Sequence, residues 1–223
     1  PTYIMMQSTL KQLSETNRIL LTTMAALQLP GVWFLAEQYQ LAQSGLSDKE
    51  AVARIQTWID AHGLVELGMR FATAFVFVRW MVLLHRNAMQ WAPKQLRHSE
   101  QQVMFAFFIP VLNFFWPFQA MMDLWRASSL PRRPLPPTLV IRWWTLWIGA
   151  SVLNSIGVFQ VIGEEVPPPE AYADSALFMI GARMALIPCA LLAVKVVRTL
   201  TLLQRLRLEV QAGDNVGGPL TGD

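Results

Sequence analysis

The sequence predicts an all-α integral membrane protein with four transmembrane helices, a proline-broken re-entrant or interfacial hairpin and one short outer amphipathic helix. Three observations predict it. Apolar residues make up 53% of the 223-residue chain and charged residues 15%, against about 25% charge in soluble domains. The apolar residues gather into runs close to the ~20 residues that cross a bilayer. The basic residues sort by loop, as the positive-inside rule requires.

The first span is predicted at residues 19–39, with Pro30 inside it and Glu37 near its far end. The chain opens on Pro1-Thr2-Tyr3-Ile4, without a basic n-region, so this span reads as a retained helix rather than a signal peptide. Ser47-Asp48-Lys49-Glu50 has the capping-box pattern. Ala51, Val52, Ile55, Trp58 and Ile59 then recur at helical spacing, and Gly63 is a natural stop, which predicts the short outer helix. The second span is expected at 64–84.

Residues 103–122 are apolar and uncharged but hold Pro110, Asn113 and Pro117. Proline removes a backbone donor and breaks a regular helix. If this segment does not cross, the basic residues of the N-terminus, of 86–102, of 126–142 and of the tail share one side, against Lys49 and Arg54 on the other. If it crosses, the asymmetry is lost. The expected topology therefore has four crossings, both termini in the cytoplasm of a bacterial inner membrane, and 103–122 as a hairpin on the cytoplasmic side.

The remaining spans fall at 139–162 and 176–200, joined by the acidic, proline-stiffened Glu164-Glu165-Val166-Pro167-Pro168-Pro169-Glu170. Residues 128–138 (SSLPRRPLPPT) favour extended polyproline II. The sequence is expected to form a single polytopic domain, 1–211, followed by a disordered cytoplasmic tail, 212–223.

Small residues allow membrane helices to pack closely. Gly181, Ala185, Cys189 and Ala193 form one such stripe; Ser151 and Ser155, in line with Trp143 and Trp147, form a second; Gly68 and Ala72 form a third. All three are expected to be seams within the chain. Trp80, Trp91, Trp116, Trp125, Trp143, Trp144 and Trp147 are expected to anchor a headgroup belt.

Ionisable residues inside spans are costly and point to function by default. Glu66 and Arg70 share a helix face, and Arg183 and Glu37 belong to the same leaflet, so Glu37, Glu66, Arg70 and Arg183 are expected to form a charge-balanced intramembrane cluster. Arg79 lies deeper, with Asp123 as its expected partner. His62, His85 and His98 form no metal-ligand pair at helical spacing, and no phosphate loop or nucleophile motif occurs. A single cysteine, Cys189, excludes an intrachain disulfide. The sequence thus predicts no cofactor, no metal, no nucleic-acid partner and no enzyme. The expected partners are membrane lipids and another membrane protein or a second copy. The expected role is an accessory or assembly subunit, with a small transporter or channel using the Glu/Arg cluster as the alternative.

One set of motifs is more specific. Trp80 precedes Arg86-Asn87. Then comes Pro110-Val111-Leu112-Asn113, then Trp116-Pro117-Phe118, leading to Asp123-Leu124-Trp125-Arg126-Ala127-Ser128; later stand Trp143-Trp144-Thr145-Leu146-Trp147 and Val197-Arg198-Thr199-Leu200-Thr201-Leu202-Leu203-Gln204. Over residues 71–205 this resembles a bacterial family of multi-pass membrane proteins, the domain-of-unknown-function family four-three-two-eight. The resemblance implies a compact helical membrane domain and no known activity. Residues 43–63 look longer than the family pattern requires.

Overall fold

A computed structural model describes residues 2–105, 109–130, 135–163 and 167–216. The order is α1 (Thr2–Gln43), α2 (Lys49–Trp91), a 3-10 turn (Pro93–Gln95), α3 (Glu100–Phe105), α4 (Pro110–Asn113), α5 (Trp116–Ser128), α6 (Thr138–Phe159) and α7 (Pro169–Val216). No strand occurs among the described residues. Among the described residues four helices are long and apolar enough to cross a membrane: α1, α2, α6 and α7. Only 17–28% of their most apolar windows is buried by the protein itself. A soluble core would hide those residues; here most of them face outward, as lipid solvation demands.

α1 and α2 meet at a tight turn. Gly45 sits in the left-handed region at φ 71°, and the N–H of Leu46 donates to Leu41 O at 3.1 Å, which closes the helix end. Asp48 then caps α2, its Oδ1 accepting from the Ala51 N–H at 2.9 Å. The expected short outer helix is not a separate element: α2 runs unbroken from Lys49 through Gly63 to Trp91. Gly63 carries no positive φ, and an interior glycine costs a helix only about 1 kcal/mol, so with apolar residues on both sides the helix continues. α6, at 22 residues, is about 33 Å long and matches the ~30 Å hydrocarbon thickness.

The proline-rich segment does not form one span. Pro110 opens α4 and Pro117 lies in the first turn of α5, where a missing N–H costs nothing. The prolines start helices here instead of bending one. Ser129 closes α5, its N–H donating to Trp125 O and its Oγ–H to the same carbonyl at 2.8 Å. Within the expected polyproline stretch, residues 131–134 lie outside the described residues, as do 164–166 of the acidic loop and 217–223 of the tail. α7 is helical to Val216, inside the segment expected to be disordered.

The chain resolves into two compact units. The first comprises Pro1–Arg18, Phe75–Val140 and Lys195–Asp223; the second comprises Ile19–Ala74 and Ile141–Val194. The first unit has a core of large side chains: Leu10, Trp80, Met81, Leu84, Met121, Leu124 and Leu200 are fully buried. The second is held by small ones, including Ala25, Ala42, Ala150, Ala176, Ala182, Cys189 and Ala193. There α6 and α7 touch closely. A Cβ on Gly157 would lie 3.0 Å from Ser175 O, one on Gly181 would lie 3.6 Å from Leu153 Cδ1, and Cys189 Sγ is 3.7 Å from Trp143 O. The Gly181–Cys189–Ala193 stripe is thus a seam. Ser155 is exposed, and Gly157 supplies the close approach instead. The third stripe is not a seam: Gly68 and Ala72 face outward, and a Cβ on Gly68 would meet nothing within 4 Å.

Candidate functional site

The second unit places one buried carboxylate among donors. Glu66, on α2, is 3% exposed. Its Oε1 accepts from Arg70 Nη2 at 3.0 Å and from Gln28 Nε2 at 2.9 Å; its Oε2 accepts from Arg183 Nη1 at 3.0 Å. Arg183 also donates to Gln28 Oε1 at 3.3 Å. α1 makes room for this. A Cβ on Gly31 would lie 2.6 Å from Arg183 Cζ, so a larger residue there would push the guanidinium out of its present path to Glu66. Pro30, the residue before Gly31, has no N–H for the helix, and on the same turn the Leu27 carbonyl accepts a hydrogen bond from His62 Nε2 at 2.9 Å.

Three of the four expected cluster residues come together; Glu37 does not. Gln28 stands opposite Glu66 and Phe34 stacks on Trp58, so α1 and α2 run antiparallel. Glu37 then lies level with the start of α2, about 20 Å along the helix axis from Arg70. The expected common leaflet therefore did not amount to contact. The cluster therefore holds two guanidiniums and one carboxylate. Gln28 and Gly31 were not foreseen: a lone Gln in an apolar run and a glycine beside a proline were the only signals.

The first unit contains two sets of buried polar contacts. Trp80 Nε1 donates to Thr201 Oγ1 at 3.0 Å. Asn87 Nδ2 donates to Gln204 Oε1 at 3.0 Å, and Gln204 Nε2 donates to Ser128 Oγ at 3.1 Å and Leu84 O at 2.9 Å. Trp80, Asn87, Ser128 and Gln204 are all fully buried. The motif residues, scattered in sequence, converge here. Trp80, Trp91 and Trp125 do not anchor a wet belt: they spend their N–H groups inside the protein, on Thr201, on Ala127 O at 2.9 Å and on Leu135 O at 2.9 Å.

Asp123, 3% exposed, is held by Arg97 and not by Arg79. Arg97 donates from Nη2 at 2.9 Å, from Nε at 3.0 Å and from its backbone N–H at 3.2 Å; Arg126 stands 3.7 Å away. The Asp123 carboxylate raises the Arg97 guanidinium still further above its usual value. Arg79 is exposed and lies over the Phe75 ring at 5.7 Å. The extended loop after α2 brings Arg97 to α5, which helical spacing could not foretell. Beside it His85 Nε2 donates to His98 O at 2.8 Å and His98 Nε2 to Gln119 Oε1 at 3.0 Å. Arg86 pairs with Glu100, one contact being Nε to Oε2 at 2.8 Å. Asn113 ends α4, its N–H donating to Ile109 O.

Among the described residues no three His, Cys, Asp or Glu side chains gather as a metal site requires. No curated protein and no solved structure matches the chain. Residues 43–202 match the family described as domain of unknown function (DUF4328), and that span covers most of the sequence. The four apolar membrane-length helices and the motif residues gathered around Gln204 fit that match: the chain belongs to the DUF4328 family of proteins with membrane-span-like helices.

Proposed function

We propose that this protein is a non-enzymatic accessory or assembly subunit of a bacterial inner membrane, with both termini cytoplasmic, that binds partner membrane proteins and lipid. The observation that carries this reading is the use of the motif residues. Trp80, Asn87, Ser128, Thr201 and Gln204 are buried, Trp80 bonded to Thr201 and Gln204 to Asn87 and Ser128. Residues arranged that way hold a scaffold and are unavailable to a substrate. Outward, the second unit offers large apolar side chains: Trp33, Leu64, Phe71, Phe159 and Met184 are all more than half exposed. Those surfaces suit lipid and neighbouring helices. The transport alternative would use the cluster's carboxylate to bind cargo, whereas Glu66 already accepts from three side chains.

Purification from native membranes at low detergent, followed by native mass analysis, tests the proposal. A stoichiometric complex with a second membrane protein is expected. A strictly monomeric species without a protein partner under conditions that preserve other membrane complexes would refute it.

A further inference from the structure

We propose that the outward face of α2 around Arg70 docks a membrane-spanning helix of another protein that carries an aspartate or glutamate near the middle of its span. This rests on the accessory-subunit reading and names what such a subunit would bind. The charge count motivates it. Glu66 is one carboxylate shared by Arg70 and Arg183, and Glu37 lies about 20 Å away along the helix axis. One positive charge in the cluster is left without a carboxylate.

Its depth narrows the choice of counter-ion. Gly181 stands opposite Leu153 and Cys189 opposite Trp143. Arg183 therefore stands opposite Ala150 and Ser151, about 3 Å from the centre of α6. α6 alone matches the bilayer thickness, so Arg183 reaches Glu66 from near the membrane middle. Arg70 is bound to the same carboxylate and cannot reach up to the headgroups without releasing it. A lipid phosphate is thus poorly placed, and an acidic side chain on a neighbouring helix is well placed.

The surface matches such a helix. Arg70 is 52% exposed. Leu67 and Phe71 flank it and point outward, and Gly63, seven residues before it on the same face, is exposed and leaves open space in which another backbone can approach. A guanidinium has five N–H donors; Glu66 engages one nitrogen of Arg70, which leaves donors for a second carboxylate.

The test uses the full chain in native membranes with a photo-crosslinking benzoylphenylalanine at Phe71, and at Trp33 and Phe159 as controls. The expected result is a discrete protein adduct at Phe71, mapped by mass analysis to a spanning helix with an Asp or Glu. Its yield should fall about tenfold in Arg70→Gln, equivalent to about 1.4 kcal/mol of docking free energy, and persist in Arg70→Lys. Arg70→Glu combined with reversal of the partner's acid should restore it. Glu66 keeps Arg183 and Gln28 in these variants, and an unchanged gel-filtration profile checks that they fold. Lipid adducts alone at Phe71, or a protein adduct indifferent to Arg70→Gln, overturn the inference. Anion flux in liposomes that Arg70→Gln abolishes overturns it in favour of conduction. Protein adducts confined to Trp33 or Phe159 would sink this face and leave the accessory reading standing; protein adducts from none of the three would sink both.

Discussion

Removing Glu66 should cost more than removing either of its arginines, and the charge count says by how much. Glu66→Gln keeps the side-chain shape but leaves Arg70 and Arg183 facing each other with no carboxylate between them. Both guanidiniums were bonded to it at 3.0 Å, and Arg183 is only 18% exposed. Breaking a buried pair by deleting one partner typically costs about 3–5 kcal/mol, because the remaining charge stays buried and unpaired. Arg183→Gln differs. It leaves Glu66 bonded through Oε1 to Arg70 and Gln28, so the pair stays neutral and one carboxylate oxygen loses its partner. An unsatisfied buried acceptor costs about 1–3 kcal/mol. Unfolding of the purified protein in mixed micelles, titrated with a denaturing detergent, measures both. The expected order is Glu66→Gln well below Arg183→Gln in stability. The double variant should be more stable than Glu66→Gln alone, since it removes a repelling guanidinium. Equal losses for the two single variants, or a double variant as unstable as the sum, would refute the two-to-one charge count.

Three further outcomes follow from the first unit. Asn87→Leu and Gln204→Leu should each cost about 1–3 kcal/mol by orphaning the other amide, while the double variant should cost clearly less than the sum; additive losses in the same unfolding assay would show that the Asn87–Gln204 bond is not formed. Glu100 lies outside the spanning helices, and its hydrogen bond to Arg86 holds its carboxyl below the usual range. That contact therefore contributes above the unfolded pKa of about 4.3 and is lost as pH falls through the lower folded value; hydrogen exchange of residues 96–100, corrected for intrinsic rates, should rise over that window in the parent chain and lose that pH dependence in Glu100→Gln. Single cysteines placed at Ser99 and Thr138, both exposed, should react with an impermeant maleimide from the same face of the membrane; opposite-face labelling would overturn the four-crossing topology.

The four membrane-length helices were legible because the signal is local: each needs only an uninterrupted apolar run. Local signals also misled. Gly63 looked like a helix end, but a glycine stops a helix only where the chain turns into the left-handed region, as it does at Gly45. Gly68 and Ala72 carried the same spacing as Gly181 and Cys189, yet only the second set has a helix against it. Spacing names a face; it does not say what that face meets. Glu66 with Arg70 was readable as an i, i+4 pair, and Arg183 joined it from across the bundle. Asp123 found Arg97 through an extended loop whose path no periodicity encodes. Glu37 was assigned the same leaflet but lies at another height along the helices. The missing quantity in each case was the register between helices distant in sequence.

That register makes α1 more important than the family match alone would indicate. The matched span is 43–202. Both polar centres depend on residues outside it. Glu66 is held by Gln28, and Arg183 reaches it only past Gly31, both on α1. In the first unit Gln204 joins Asn87 to Ser128 from beyond the other boundary, and Asn17 of α1 donates to Val76 O at 3.3 Å. A chain cut to 43–202 would keep every proline and tryptophan of the central motif, and yet leave Asn87 without its acceptor and Arg183 without the second helix it threads past. The motif and the fold it serves are therefore not coextensive: the pattern marks where the scaffold is tied, while the ties themselves are completed by the first helix and the end of the last.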